Sequence, residues 1–195
     1  MIKSISPQRN IFFSFFIYSF CFGAFFPRLG DLQLQMGVGE TVLGLGLVGL
    51  PLGVQISLFF ADKILQVIKF RLAMCIGIPA LGGSLVLTSL IIDPLYFFLV
   101  LIVGGIAVGI VEVAVNVEAD KVEYFVSKKI MNRSHSFWSL GFFVAGLLGA
   151  FAAQLQISPF IHFSLSILIC TILSTLFFYG YRSFPNRSNI SEKVS

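Results

Sequence analysis

The chain has 195 residues, of which 57% are hydrophobic, 11% are charged and 23 are phenylalanine. Soluble domains carry about 25% charged residues, so this composition excludes a water-soluble globular protein. The formal net charge of +4 does not call for a nucleic-acid partner, because the membrane topology derived below accounts for it.

Uncharged stretches between charged residues indicate membrane spans, since a spanning helix needs about 20 mainly apolar residues. The last two spans share one long uncharged stretch between Arg133 and Arg182, with a turn at 154–159. The six spans are predicted at residues 11–28, 41–61, 72–92, 94–118, 134–154 and 159–181. The sequence therefore predicts an all-α integral membrane protein with a six-helix bundle over residues 1–181 and a polar segment at 182–195.

Lys and Arg residues are distributed unequally between the two ends of these spans. If the N-terminus lies inside, twelve of the thirteen basic residues fall on the cytoplasmic side and Arg28 alone falls outside. Basic residues are retained on the cytoplasmic side of short loops. We therefore expect a multi-pass protein of the inner (plasma) membrane with both termini in the cytoplasm.

Glycines recur inside the predicted spans. Two pairs, Gly49 with Gly53 and Gly105 with Gly109, have GxxxG spacing. Small residues let helices approach closely in lipid, where no hydrophobic force drives helices together. We therefore expect a tight bundle, with ends or kinks of the spans at the prolines.

One acid falls inside the fourth predicted span. Gly105, Gly109, Glu112 and Asn116 are separated by four, three and four residues, so they share one stripe of the helix. An ionised side chain at bilayer depth costs at least a few kcal/mol, so such acids face a bundle interior or a water-filled cavity. Two interpretations of Glu112 stay open: a protonatable group that lines a transport cavity, and a boundary residue that reaches headgroup water.

The pattern Glu112-x-x-x-Asn116, followed by Phe-Trp-Ser-Leu-Gly at 137–141, resembles the major facilitator superfamily and most closely its fucose-permease-like carriers. The motifs occupy residues 112–149, whereas the order of helices agrees along the whole chain. The resemblance implies the N-terminal six-helix half of a two-half carrier, built as a three-plus-three inverted repeat. Residues 182–195 would then be a cytoplasmic tail or the start of the central linker.

The resemblance also assigns roles to individual residues. Glu112 would take the place of the helix-four acid that serves proton coupling or sugar binding, with Asn116 one turn further on. His135 and Trp138 would stand where polar residues of helix five contact the cavity; the alternatives are a helix-start polar group and a membrane-interface anchor. Gly23 replaces the helix-one acid of fucose permeases, and Trp138 replaces a substrate-contacting Asn, so fucose transport itself is not implied.

The loop after the second span keeps part of the superfamily signature. Residues 58–66 retain Asp62 and Lys63 but lack both of the signature's glycines. In the family this loop helps to close the cytoplasmic gate. Asp62 and Lys63 are therefore either gating residues or ordinary loop charges.

Two further polar residues have structural and functional interpretations. His162, alone on an apolar helix, is interpreted mainly as a structural histidine. Arg28 either pairs with Asp31 or meets an anionic substrate, and the first alternative is favoured.

No pattern of catalytic or cofactor-binding residues is found in the sequence. Cys21, Cys75 and Cys170 lack the spacing of a metal site or a disulfide framework, and no phosphate-binding glycine loop is present. We therefore expect no enzyme activity, no metal and no cofactor.

These observations predict a transporter of a small polar or sugar-like solute, secondary active and proton-coupled, present as a truncated or split half. Its expected partners are the lipid bilayer, the solute, protons, and either a second six-helix half or a second copy of this chain. The alternative is a non-transporting six-helix membrane protein, either a carrier remnant or an assembly partner.

Overall fold

The computed structural model of the protein describes residues 6–185, apart from the side chains of Asp62 and Leu65. Over these residues the chain is helical and contains no strand. Six helical segments are long and apolar enough to cross a membrane, so the predicted fold class and number of spans are confirmed. Spans 1 to 6 are, in order, Pro7–Met36, Glu40–Phe59, Phe70–Thr88, Pro94–Val126, Met131–Gln154 and Pro159–Phe178.

Phe13, near the start of span 1, stacks on Phe177, near the end of span 6, with 5.0 Å between ring centroids. The start of span 1 and the end of span 6 therefore lie at the same end of the bundle. We call this end the termini end and the opposite end the far end. A short helix, Ala61–Val67, connects spans 2 and 3 at the termini end.

Prolines interrupt the first three spans. In span 1, helix Pro7–Gly23 leads through a 3₁₀ turn at Phe26–Arg28 into a second helix, Leu29–Met36. Span 1 therefore continues beyond its predicted end at residue 28, because Pro27 redirects the helix without ending it. Gly37, whose φ of 65° lies in the left-handed region, terminates the second helix as a glycine cap.

Spans 2 and 3 show the same effect. Span 2 divides into Glu40–Leu47 and Gly49–Phe59, and span 3 contains a π-helical turn at Ala73–Gly77 before Ile78–Thr88. A proline removes the hydrogen bond to the carbonyl four residues earlier. Pro51 and Pro79 therefore free carbonyls at positions 47 and 75, where the interruptions occur.

Span 4 also runs beyond its predicted end, from 118 to Val126. The Asp93 carboxylate accepts hydrogen bonds from the backbone N–H groups of Leu95 and Tyr96, at 2.8 and 3.3 Å, and caps its start. The charged residues after position 117 do not end the helix, because Ala119 and Val122 are fully buried against the bundle.

Spans 2 and 4 pack backbone to backbone. A Cβ added to Gly53 would collide with the carbonyl oxygen of Ile102, and one added to Gly105 would collide with that of Leu50. The close approach expected from the GxxxG pairs is therefore present, and it depends on the missing side chains.

Two clusters of buried apolar side chains form the core. The larger joins spans 1, 3, 4 and 6 around residues such as Phe15, Met74 and Val115, and the smaller includes Phe25, Phe97 and Phe163. Spans 2, 5 and 6 leave most of their surface outside the bundle. The six spans therefore have a buried centre and large uncovered faces.

Candidate functional site

Glu112 lies on span 4 with its side chain exposed at the surface of the six-helix bundle. Its carboxylate accepts a hydrogen bond from the Tyr18 hydroxyl, with 3.4 Å between Tyr18 Oη and Glu112 Oε2. Tyr18 is only 2% exposed, so span 1 holds the hydroxyl in place from within the bundle. Gly105 and Gly109 face span 2, whereas Glu112 points out from the six described spans, so the four residues of the predicted stripe do not share the same surroundings. Both interpretations of Glu112, a group that lines a transport cavity and a boundary residue that reaches headgroup water, stay predictions.

Asn116 lies one turn after Glu112 and is half-buried. Its Nδ2 group donates a hydrogen bond to the backbone carbonyl oxygen of Glu112 at 2.8 Å. This bond holds the amide on the Glu112 side of span 4, as the four-residue spacing predicts.

Aromatic side chains from spans 1 and 5 continue from Tyr18 as a connected series. The Tyr18 ring stacks on Phe22 at 6.4 Å between centroids, Phe22 lies 6.2 Å from Phe142, and Phe142 stacks on Trp138 at 5.3 Å. Phe26 contacts Phe22 and Phe142 at 5.1 and 5.3 Å. We call these five residues the aromatic face; the structure thus brings Trp138 and Glu112 into one contact network through Tyr18.

Two glycines allow span 5 to approach span 1 at this point. A Cβ on Gly141 would collide with the Ser19 hydroxyl, and a Cβ on Gly23 would lie 3.1 Å from the backbone of Phe142. Gly23 stands where the resemblance to fucose permeases would place an acid. The close packing explains why no acid stands at this position, because a longer side chain would displace span 5.

His135 lies near the start of span 5 and is exposed. Its imidazole ring meets the buried Phe15 ring edge-on at 5.2 Å. Its contact is therefore with span 1, one turn before Tyr18, and its role in a cavity stays a prediction.

The two gating candidates lie on the short helix Ala61–Val67. Lys63 is exposed, and the Asp62 side chain lies outside the described part of the structure. Their role at a gate also stays a prediction.

The sequence interpretation missed a second acid on span 4. Glu118 is 1% exposed and accepts three hydrogen bonds: from Lys121 Nζ at 3.4 Å, from the Tyr181 hydroxyl at 3.2 Å and from the Phe184 backbone N–H at 2.9 Å. Glu118 therefore ties span 4 to the segment that follows span 6. Helical periodicity contains the signal, since Glu118 continues a buried stripe formed by Val108, Val111, Val115 and Val122.

The surroundings of Glu118 affect the tyrosine that contacts it. Burial, followed by the negative charge and the hydrogen bond of Glu118, raises the pKa of Tyr181 well above its ordinary value. A cavity of about 360 Å³ opens beside Glu118, and Lys69 and Lys121 are among its lining residues. The contacts of Glu118 stabilise the termini end of the bundle. Glu118 is buried, whereas Glu112 is exposed.

Comparison with known proteins finds transporters. The chain is 26% identical over 164 residues to an uncharacterized transporter of Sinorhizobium fredii, covering 84% of this chain and 43% of that protein. It is 27% identical over 146 residues to an uncharacterized MFS-type transporter of Yersinia pestis, covering 75% of this chain and 37% of that protein. The predicted resemblance to the major facilitator superfamily is confirmed.

The matches cover only part of each relative, and this limits the conclusions that they support. The chain spans about two fifths of the length of the two curated relatives. No protein-family model and no solved structure matches it. Together with the six apolar helices, the similarity supports a multi-pass membrane transporter, and it fits the prediction of a non-enzymatic protein.

Proposed function

We propose that this chain forms one six-helix unit of a proton-coupled secondary carrier for a small polar or sugar-like solute, with Glu112 at the solute and proton site. The observation that carries the proposal is the Glu112 carboxylate, which is exposed on the bundle and bound by the buried Tyr18 hydroxyl. A carboxylate facing acyl chains costs several kcal/mol. The Glu112 side of span 4 therefore borders a water-filled cavity between two units.

The residues connected to Glu112 through Tyr18 and Phe22 suit a sugar-like solute. Trp138 and Phe142 offer flat apolar rings, on which the apolar face of a sugar ring packs. Glu112 and Asn116 supply groups that hydrogen-bond hydroxyls. A few polar groups among aromatic side chains are typical of a small-molecule site.

The uncovered faces of the bundle support a second unit. Spans 2, 5 and 6 are mostly exposed in the described structure, and the curated relatives are more than twice as long as the matched regions. Carriers built from two six-helix halves hold solute between them and expose it alternately to each side. The second unit is either another six-helix half or a second copy of this chain.

Asp62 and Lys63 belong to the gate of this carrier, at the termini end. That end lies in the cytoplasm and the membrane is the inner (plasma) membrane, as the distribution of basic residues favours.

The test of the transport site is proton flux in vesicles. The protein is reconstituted into proteoliposomes with its second unit, and candidate sugars are added while the internal pH is followed. Glu112→Gln abolishes solute-dependent proton flux, because the amide cannot bind and release a proton. The matched control is Glu40→Gln, which changes another exposed acid, at the start of span 2. Flux that persists in Glu112→Gln at the Glu40→Gln level would remove Glu112 from the mechanism.

The same assay distinguishes the alternatives. A homodimeric carrier gives uptake with the purified chain alone, and a split carrier gives uptake only with a separate six-helix half. A remnant or assembly partner gives no uptake under either condition.

A further inference from the structure

Two buried nitrogen atoms at the far end of the bundle lack a hydrogen-bond partner. They are Arg28 Nη1 and His162 Nδ1, and no other buried side-chain nitrogen or oxygen in the described part of the chain is left unpaired. Arg28 is 1% exposed and His162 is 9% exposed. Leaving buried polar groups unpaired is costly, so a ligand that pairs with both atoms would stabilise the folded protein.

Packing around one glycine brings these two side chains to the same place. Cε1 of His162 lies 3.1 Å from the position of a Cβ on Gly149, and the Pro27 ring also contacts that position. Arg28 follows Pro27 directly. Span 1 and span 6 therefore meet at Gly149 of span 5, next to His162 and to the residue that precedes Arg28.

The other nitrogens of the Arg28 side chain fix the guanidinium at the start of span 6. Nε bonds to Asp31 Oδ2 at 2.5 Å, and Nη2 bonds to the backbone carbonyl of Ile157 at 2.6 Å. Span 6 begins two residues later, with Ser158 as its N-cap, and His162 lies in its first turn. The favoured pairing of Arg28 with Asp31 is confirmed, but Arg28 is a buried bridge and not a loop residue.

The charges at this point favour a negative occupant. The amino terminus of a 20-residue helix attracts anions, and the free Nη1 group can only donate. Asp31 already balances the charge of Arg28, so an added anion needs a further positive charge, which a proton on His162 supplies.

In the described part of the chain, the elements that pack against span 6 bring few other titratable groups near His162. Span 6 packs against spans 1, 3 and 5. The helix Ile78–Thr88 of span 3 has no ionisable side chain, residues 136–161 have none, and Cys170 is the only other such group in span 6. From span 1 the facing groups at this end are Arg28 and Asp31.

We propose that Arg28 Nη1 and His162 Nδ1 bind one small monovalent anion, such as chloride, together with one proton. The proton binds the His162 ring, and the anion accepts a hydrogen bond from each side chain. The charge of the site is unchanged, because one positive and one negative charge enter together.

The probe is chloride, tested against gluconate at equal ionic strength. Thermal unfolding of the purified chain in detergent is followed with a thiol-reactive dye, since Cys21 and Cys170 are buried free thiols. We expect chloride to raise the unfolding temperature at pH 5.5 by a few degrees, because a ligand of the folded state stabilises it. At pH 7.5 we expect a smaller rise, because the anion binds together with a proton and the concentration of free protons is lower.

Two variants decide whether the effect belongs to this site. His162→Leu should lose the chloride response yet unfold in gluconate no earlier than the wild type, since it removes an unpaired polar group. Lys129→Gln, which removes an exposed cation elsewhere, should keep the response. A wild type indifferent to chloride, a response retained in His162→Leu, or an equal response at both pH values would each overturn the proposal.

Discussion

Two of the acids on span 4, which lie six residues apart, have opposite surroundings. Glu112 is exposed and has one tyrosine donor at 3.4 Å. Glu118 is buried and has three donors, from a lysine, a tyrosine and a backbone N–H. A buried acid with satisfied hydrogen bonds holds helices together, whereas an exposed acid with one long bond is available to a ligand.

The helix itself produces the difference. Six residues correspond to one and two thirds turns of an α-helix, so the two side chains point to different sides of span 4. One side meets span 1 and the uncovered surface, and the other meets the segment after span 6. The comparison predicts that changes at Glu118 affect folding and that changes at Glu112 affect transport.

The largest expected effect is that of Glu118→Ala. It leaves the Tyr181 hydroxyl, the Phe184 N–H and Lys121 without their acceptor. Removing one partner of a buried charged group costs about 3–5 kcal/mol. We expect the unfolding temperature in detergent to fall by on the order of 10 °C, at about 2–4 °C per kcal/mol for a chain of this size.

Two variants complete this measurement. Glu112→Ala should change the unfolding temperature far less, because its carboxylate is exposed. Glu118→Gln keeps an acceptor and should fall between Glu118→Ala and the wild type. Equal unfolding temperatures for Glu112→Ala and Glu118→Ala would contradict the comparison.

Much of the fold could be predicted because charges separate the apolar stretches. The six spans follow from this rule, but the end of span 4 does not. Glu118 and Lys121 suggest an exit from the membrane, whereas Ala119 and Val122 between them are fully buried. Charge alone therefore places a span but does not place its end, which depends on packing.

Within the candidate site, only the contacts between residues close in sequence could be predicted. The spacing of Glu112 and Asn116 along one helix is visible in the sequence, and their hydrogen bond follows from it. Tyr18 is 94 residues away from Glu112, and Ile157 is 129 residues away from Arg28. Such contacts depend on how the spans pack, which helical periodicity does not specify.

Smaller effects are expected when the tyrosine that contacts each acid is changed, Tyr18 at Glu112 and Tyr181 at Glu118. Tyr181→Phe removes one of the three donors of Glu118 and should cost about 1 kcal/mol of stability, with solute uptake unchanged. Tyr18→Phe removes the described donor of the Glu112 carboxylate and should shift the pH dependence of uptake. The measurements are unfolding temperature and uptake against pH for both variants. A pH dependence of uptake that shifts in Tyr181→Phe and not in Tyr18→Phe would contradict the assignment of transport to Glu112 and of stability to Glu118.

The smallest expected effect is on the alkaline stability of the protein, because the stabilising contribution of protonated Tyr181 is lost at high pH. Its pKa is raised in the folded protein by burial and by Glu118, so the folded state holds the phenolic proton where the unfolded chain releases it. This contribution is complete below pH about 10, the ordinary tyrosine pKa, and is lost as the pH rises above it. Thermal unfolding between pH 8 and 11 should therefore decline more steeply for the wild type than for Tyr181→Phe. Tyr179→Phe is the control, because that tyrosine is exposed and should leave the wild-type slope intact. Parallel curves for the wild type and Tyr181→Phe would mean that the folded protein does not keep the Tyr181 phenol protonated.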